Sequence, residues 1–290
     1  MTRTIFRKPG VFGRALTALA LLMPMALLAP LSSAETVMIT GANSGIGLEF
    51  AKEYAGKGWS VIATHRRPEV PPSLAELQKK YGDKIRIEHL DVTNPEEATA
   101  LAAKMKDVAI DVLINNAGVY NDRAKCAPED DACPGDWTNQ AFGNLNLKLL
   151  DTIMAVNIKG PLIVSQAFYA NVKAGKTKKL IAISSSNGTL TGEKNPGPGA
   201  MFYRMSKAAL NREFQIVAAS VKADGITVLM LNPGPTLTEH QAYIAKTTSK
   251  ITDQMLTMEF TVGHMIETIT KSTMKDTGKF LRYDGIDEAW

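Results

Sequence analysis

A tyrosine and a lysine four residues apart, Tyr203 and Lys207 in FYRMSKAAL, open a stretch with helical apolar spacing. Residues four apart share one helix face, so the phenol and the ammonium would project side by side. A cation beside a phenol favours phenolate. It would lower the tyrosine pKa from its usual value of about 10 towards proton-transfer work at neutral pH. Alone, the pair reads first as an ordinary helix-surface contact, and its meaning depends on the elements that carry it.

From Thr36 onward those elements alternate. Apolar, β-rich runs occur at TVMIT (36–40), WSVIAT (59–64), KIRIEHL (84–90), DVLINN (111–116), KLIAISS (179–185), ITVLML (226–231) and KFLRY (279–283). Helical patterns fall between them near 46–57, 72–81, 95–106, 147–174, 202–223 and 260–272. Continuous apolar strands separated by helices predict an α/β fold, a parallel sheet covered on both faces. Neither an internal repeat nor a low-complexity linker interrupts the pattern, so residues 35–290 are expected to form a single domain. Three loops, 119–146, 186–201 and 232–259, exceed ordinary connection lengths. The last two follow strand ends on the side where open α/β sheets bind ligands.

Residues 1–34 read differently. Arg3, Arg7, Lys8 and Arg14 precede an apolar run from Ala15 to Leu31, and Ser32, Ser33 and Ala34 follow it. That order predicts a secretory signal peptide cleaved after Ala34, with an uncleaved membrane anchor as the alternative. Four of the 33 basic residues lie in this leader and none of the 29 acids does, so the remainder carries 29 against 29. A neutral chain without clustered Lys and Arg gives no footprint for nucleic acid. Two cysteines, Cys126 and Cys133 in CAPEDDACPGD, are too few for a disulfide scaffold and lack the nearby histidines of a zinc site, so no metal is expected. In an exported protein they would close a small loop; in the cytosol they would be free thiols.

The first strand runs into TGANSGIG, residues 40 to 47, and then a helix. Gly41 permits a tight turn, Gly45 a close approach of backbone to a pyrophosphate, and Gly47 close helix packing. Together TGANSGIG, DVTN at 91–94, NNAG at 115–118 and the YxxxK of Tyr203 and Lys207 resemble the short-chain dehydrogenase/reductase family over about residues 36 to 290. YRMSKAALN at 203–211 and the ending GKFLRYDGIDEAW resemble its carbonyl-reductase-like branch, which includes sniffer and C-factor.

The resemblance implies a Rossmann-type doubly wound parallel sheet of about seven strands. It implies a nicotinamide cofactor lying along Gly41, Asn43, Ser44, Gly45, Ile46 and Gly47, with Asp91 and Val92 in the adenine pocket. By the same resemblance Asn115, Ala117 and Gly118 lie along the cofactor, and Pro233, Gly234 and Thr238 in NPGPTLTEH close over the nicotinamide amide. A carboxylate after the second strand suits the ribose hydroxyl of NAD, whereas an arginine suits the 2′-phosphate of NADP. VIATHRRP places His65 where the acid would be expected and Arg66 and Arg67 after it, so NADP(H) is expected, through Arg66, and NAD(H) is the alternative.

Carbonyl reduction needs hydride from the nicotinamide and a proton for the developing alkoxide, from an acid within hydrogen-bond reach. Tyr203 is that acid by resemblance, and the base in the reverse direction, with Lys207 as pKa modulator and ribose anchor. Ser185, at the head of SSNG, would hold the carbonyl oxygen, where a fixed dipole aids catalysis. Asn157 in MAVNIKGP would link Lys207 to solvent. The family's four-helix dimer contact resembles the helices at 147–174 and 202–223, so a homodimer is an expectation, with a monomer as the alternative.

Apolar Tyr243, Ile244, Ile251, Met255, Leu256, Met258 and Phe260 suggest a small-molecule aldehyde or ketone with hydrophobic bulk, or equally a piece of core. A nicotinamide enzyme and an export signal pull apart, because free cofactor is scarce outside the cell. Periplasmic or secreted export remains the reading of the leader, with cytoplasmic or organellar placement as the alternative. The competing function is a non-catalytic NAD(P)-binding sensor on the same scaffold. A hydrolase fits less well, because the serines lack a GxSxG elbow and the four histidines show no placement suggesting a base.

Overall fold

The computed structural model describes residues 1, 2, 4–6, 10, 34–121, 126, 136, 138–191, 199–238 and 255–290. Met1–Ser33 and Ala34–Trp290 form separate compact units, and every element named below belongs to the second. The leader's apolar run lies outside the described residues.

Chain order runs β1 (Thr36–Ile39), α1 (Gly45–Gly56), β2 (Ser60–His65), α2 (Pro72–Tyr81), β3 (Ile85–His89), α3 (Pro95–Lys104) and β4 (Val112–Asn115). It continues through β5 (Gln140–Ala141), β6 (Asn144–Leu145), α4 (Leu147–Met154), a π-turn (Ala155–Lys159), α5 (Gly160–Ala167) and α6 (Tyr169–Ala174). The last part is β7 (Lys179–Ile183), α7 (Met201–Val221), β8 (Thr227–Asn232), α8 (Met258–Lys271) and β9 (Lys279–Arg282). The main sheet has seven strands in the order β3-β2-β1-β4-β7-β8-β9, and all its pairings are parallel. The seven strands expected from the sequence are these seven.

Successive side chains on one strand point to opposite faces, and both faces are covered. Val37 and Ile39 of β1 join Phe50 and Tyr54 of α1 and Val262 and Met265 of α8 in one core. Met38 joins Phe168 and Phe214 in the other. Each large apolar side chain so buried stabilises the fold by about 1.5–3 kcal/mol. Because the strands are parallel, the ends of β1, β2, β4, β7 and β8 all open at the same sheet edge, as in a doubly wound Rossmann-type domain.

Two differences from the sequence expectation matter for the site. The helix expected over 147–174 is broken into α4, a π-turn, α5 and α6. The π-turn winds one extra residue into the helix. It presents Asn157 inward, fully buried, with its amide nitrogen donating to Val119 O at 2.8 Å and its Oδ1 accepting from Val119 N at 2.7 Å. The short hairpin β5–β6, turning at Gly143 with φ +94°, stands where only a loop was expected.

Helix α7 carries an electrostatic weakness. Both carboxylate oxygens of Glu213 are shielded from water without a hydrogen-bond partner, and burial raises the carboxyl to about 7. The folded pKa lies above the ordinary 4.5, so the group favours folding most below that pH and loses the contribution as pH rises through about 7. Glu213→Leu is expected to raise the unfolding free energy at pH 8 by about 1–2 kcal/mol, discounted for partial exposure, and by less at pH 4. Urea unfolding at the two pH values checks this, and an equal gain at both contradicts it.

Candidate active site

The turn from β1 into α1 builds one wall. Gly41 and Gly45 have φ of +64° and +55°, which side chains other than glycine rarely adopt. A Cβ at Gly47 would lie 2.3 Å from Gly41 O and 2.5 Å from Asn116 Nδ2, so the helix meets the turn at a distance only glycine permits. The turn is stitched to the end of β4. Thr40 Oγ1 accepts from Asn116 N at 3.0 Å and from Ala117 N at 3.1 Å, while Asn116 Nδ2 donates to Thr40 O at 3.0 Å and Gly41 O at 3.1 Å.

A cleft of about 1090 Å³ opens across these strand ends. Of the expected site residues it is lined by Gly41, Asn43, Ser44, Gly45 and Ile46 at the first turn, Arg66 after β2, and Asp91 and Val92 after β3. Ala117, Gly118, Ser185, Tyr203, Pro233, Gly234 and Thr238 line the rest. Asn115 does not. Its Nδ2 donates to Ser165 Oγ at 3.0 Å inside the protein, because the strand's alternation turns Asn115 away from the cleft. Asn116, the next residue, is the one that lines it. Nor does Asn157 face the cleft: its amide also donates to Ser206 Oγ at 3.0 Å, and it holds the segment at Gly118–Val119 in place.

At the far wall the end of β7 delivers Ser185. It caps the short helical turn Ser186–Gly188 by accepting from Asn187 N at 3.1 Å, and both Ser185 and Tyr203 line the cleft. Lys207, one turn along α7 from Tyr203, has its Nζ 5.6 Å from the Tyr203 ring centroid and donates to Ile183 O at 2.8 Å. A Cβ at Gly118 would lie 3.9 Å from that Nζ, so the ammonium sits behind Gly118, and Lys207 itself does not line the cleft.

The electrostatics correct one expectation. Tyr203 is pushed up to about 12 rather than down, because burial penalises the phenolate more than the nearby Ser185 hydroxyl favours it. Burial also brings Lys207 down to about 8. The ammonium lies over the ring and bonds a backbone carbonyl, so its charge is not aimed at the phenolic oxygen.

These residues fit a dinucleotide. The N-terminal turn of α1 opens on the cleft, Ser44 at its N-cap makes no side-chain cap bond, and helix N-termini bind phosphate through their amides and dipole. At the end of β2, His65, Arg66 and Arg67 line the cleft, and the run from Val61 to Arg67 offers no carboxylate.

The short chain dehydrogenase family profile matches residues 35–249. The chain belongs to the short-chain dehydrogenase family. An uncharacterized oxidoreductase of Schizosaccharomyces pombe is 30% identical over 264 residues, covering 85% of this chain and 94% of its own length. Among solved structures, NADPH-bound carbonyl reductase from chicken fatty liver superposes with a TM-score of 0.72 at 29% identity, covering 89% of this chain and 99% of that one. Carbonyl reductase Sniffer of Drosophila melanogaster gives a TM-score of 0.72 at 25% identity, over 89% of this chain and all (100%) of that one. An NADP-bound short-chain dehydrogenase/reductase from Burkholderia multivorans gives 0.71 at 26%, over 89% and 100%.

In this short-chain dehydrogenase several site residues escape a reading of the sequence. Tyr120 meets the Tyr203 ring edge-on, with centroids 4.6 Å apart. Gln140, fully buried in the β5 strand, donates to Tyr120 O at 2.8 Å and accepts from Tyr203 N at 3.1 Å, so it clamps both tyrosines. The threonine of TGANSGIG and the second asparagine of NNAG carried a signal, since both lie within quoted motifs. Gln140 carried none, being far from both partners in sequence. Cys126 lines the cleft and takes part in a disulfide, and Cys133, the other cysteine, lies outside the described residues. Of the expected apolar substrate loop, residues 239–254 also lie outside them.

Proposed function

We propose that this short-chain dehydrogenase interconverts an aldehyde or ketone and its alcohol with NADP(H), and that Tyr203 moves the proton. The observation that carries the reading is that Tyr203 and Ser185 line one cleft with the α1 turn, and that Lys207 Nζ lies 5.6 Å from the Tyr203 ring. When bound, the cofactor would supply or accept a hydride, held by the α1 turn, Ala117–Gly118 and the Pro233–Gly234 turn. In reduction, Ser185 and Tyr203 donate hydrogen bonds to the carbonyl oxygen, and Tyr203 passes its proton as negative charge develops there. An alkoxide is as basic as hydroxide and more basic than a phenolate, so transfer from a phenol near 12 runs downhill. A phenol held that high stays protonated across the physiological range, the form that gives its proton to a developing alkoxide. Lys207 supplies positive charge under the ribose end and loses it as pH rises through about 8. Solved relatives that carry NADPH or NADP support the cofactor class.

Following NADPH absorbance against a panel of aldehydes and ketones tests the reading. Turnover is expected with NADPH above NADH, and NADPH binding with no turnover across the panel contradicts it. Arg66→Glu is expected to lower kcat/KM for NADPH by roughly 10- to 100-fold, the value of a charge-assisted hydrogen bond, while sparing NADH. Equal losses with both cofactors would remove Arg66 from the phosphate contact.

Export belongs to the same proposal. The basic, apolar, small-residue order ending at Ala34 and the disulfide at Cys126 both support an oxidising compartment. The full chain expressed in a bacterium is expected to yield a mature protein beginning at Glu35, read by N-terminal sequencing, and recovery beginning at Met1 contradicts it.

A further inference from the structure

The segment after β9 lines no part of the cleft, yet it is bonded to two of the loops that do. Beyond Arg282 the chain reverses at Asp284–Gly285. Gly285, with φ +83°, donates to Arg282 O at 2.9 Å, and Arg282 N donates to Ile286 O at 2.8 Å. An antiparallel bridge between Leu281 and Asp287 and a bond from Glu288 N to Phe280 O at 2.9 Å then hold the returning strand against β9.

From that rail three contacts reach the site. Tyr283 packs on the nicotinamide-side turn, so closely that a Cβ at Gly234 would lie 3.1 Å from its ring. Glu288 Oε1 accepts from Asn232 Nδ2 at 2.7 Å, and Asn232 Oδ1 accepts from Gly234 N at 3.0 Å. The carboxamide of buried Asn232 therefore ties the Glu288 carboxylate to the Pro233–Gly234 turn. Ala289 O accepts from Thr189 Oγ1 at 3.0 Å, and Trp290 O accepts from both the amide and the hydroxyl of Thr191. Thr189 directly follows the short helical turn that Ser185 caps.

We infer that residues 283–290 brace the active site. Glu288 acts through Asn232 as a positioning residue for the turn over the nicotinamide, and the Ala289–Trp290 carbonyls, held by Thr189 and Thr191, position the Ser185 loop. The inference rests on the reductase reading above and assigns to the tail a division of labour between cofactor grip and carbonyl alignment.

The test uses the full chain with Glu288→Ala, Glu288→Gln and the pair Thr189→Val with Thr191→Val. NADPH affinity is read by fluorescence titration, which needs no turnover, and kcat by NADPH consumption at saturating cofactor. Glu288→Ala is expected to weaken NADPH about tenfold, the worth of a hydrogen bond to a charged group, and Glu288→Gln, which keeps an acceptor oxygen, to restore it to within about twofold. The threonine pair is expected to leave NADPH affinity intact and lower kcat about tenfold. Native NADPH affinity in Glu288→Ala overturns the inference. So does a loss in both Glu288 variants matched by equal falls in melting temperature, which would mark a purely structural role. Failure of the reductase reading looks different, since the native chain would then reduce no carbonyl while the titrations still report on Glu288.

Discussion

Tyr203→Phe is expected to fold like the native chain, bind NADPH nearly as well, and reduce carbonyls roughly 10²- to 10⁴-fold more slowly, the usual contribution of a positioned general acid. The substitution removes one oxygen and leaves the ring, so the edge contact with Tyr120 and the backbone bond to Gln140 survive. The lost oxygen is the donor proposed for the alkoxide. Because the phenol is held up at about 12, removing it takes away no charge at neutral pH and should not destabilise the fold through electrostatics. The loss should therefore appear in kcat far more than in cofactor affinity, a split read directly from steady-state kinetics and a fluorescence titration.

The second large effect is at Lys207, where stability and function should part. The amine is nearly inaccessible and brought down to about 8 by burial, from an ordinary 10.5. A folded pKa below the unfolded one means that the native state sheds its proton first. Stability is then lowest below about pH 8 and rises as pH climbs from 8 towards 10.5. The shift corresponds to roughly 3 kcal/mol carried by the charged form at neutral pH. Lys207→Met removes that burden and loses one bond to Ile183 O, worth about 1 kcal/mol, so the variant should be at least as stable as the native chain. Turnover should fall roughly 10²-fold or more, because the charge beneath Gly118 disappears. Chemical denaturation at pH 7 beside steady-state rates checks both halves. A variant that is unstable and still active contradicts both.

Much of the fold was legible because parallel strands buried on both faces leave unbroken apolar runs, and Val37, Met38 and Ile39 show that pattern in three residues. The glycine turn was legible for a different reason. Gly47 stands where any side chain would strike Gly41 O, so packing dictates the residue type.

What escaped depends on register and distance. Asn115 and Asn116 are chemically identical neighbours, and only the strand's end decides which one enters the cleft. The π-turn around Asn157 changes no apolar periodicity that a helical count could detect, although it turns that side chain towards Val119. Gln140 clamps Tyr203 from a hairpin too short to leave a pattern. The direction of the Tyr203 shift was hidden most deeply. Spacing puts Lys207 beside the ring, but whether its charge or its burial prevails depends on how deep the hydroxyl lies and on where Nζ finds its bond.

The central claim is that the Tyr203 phenol delivers the proton to a carbonyl oxygen that Ser185 also holds. A crystal structure of the chain with NADP⁺ and an unreactive ketone or alcohol analogue tests it most directly. The account predicts Tyr203 Oη and Ser185 Oγ both about 2.6–3.2 Å from the substrate oxygen, with Lys207 Nζ on the ribose side. A substrate oxygen bound elsewhere, with Tyr203 Oη turned away from the nicotinamide, would contradict it.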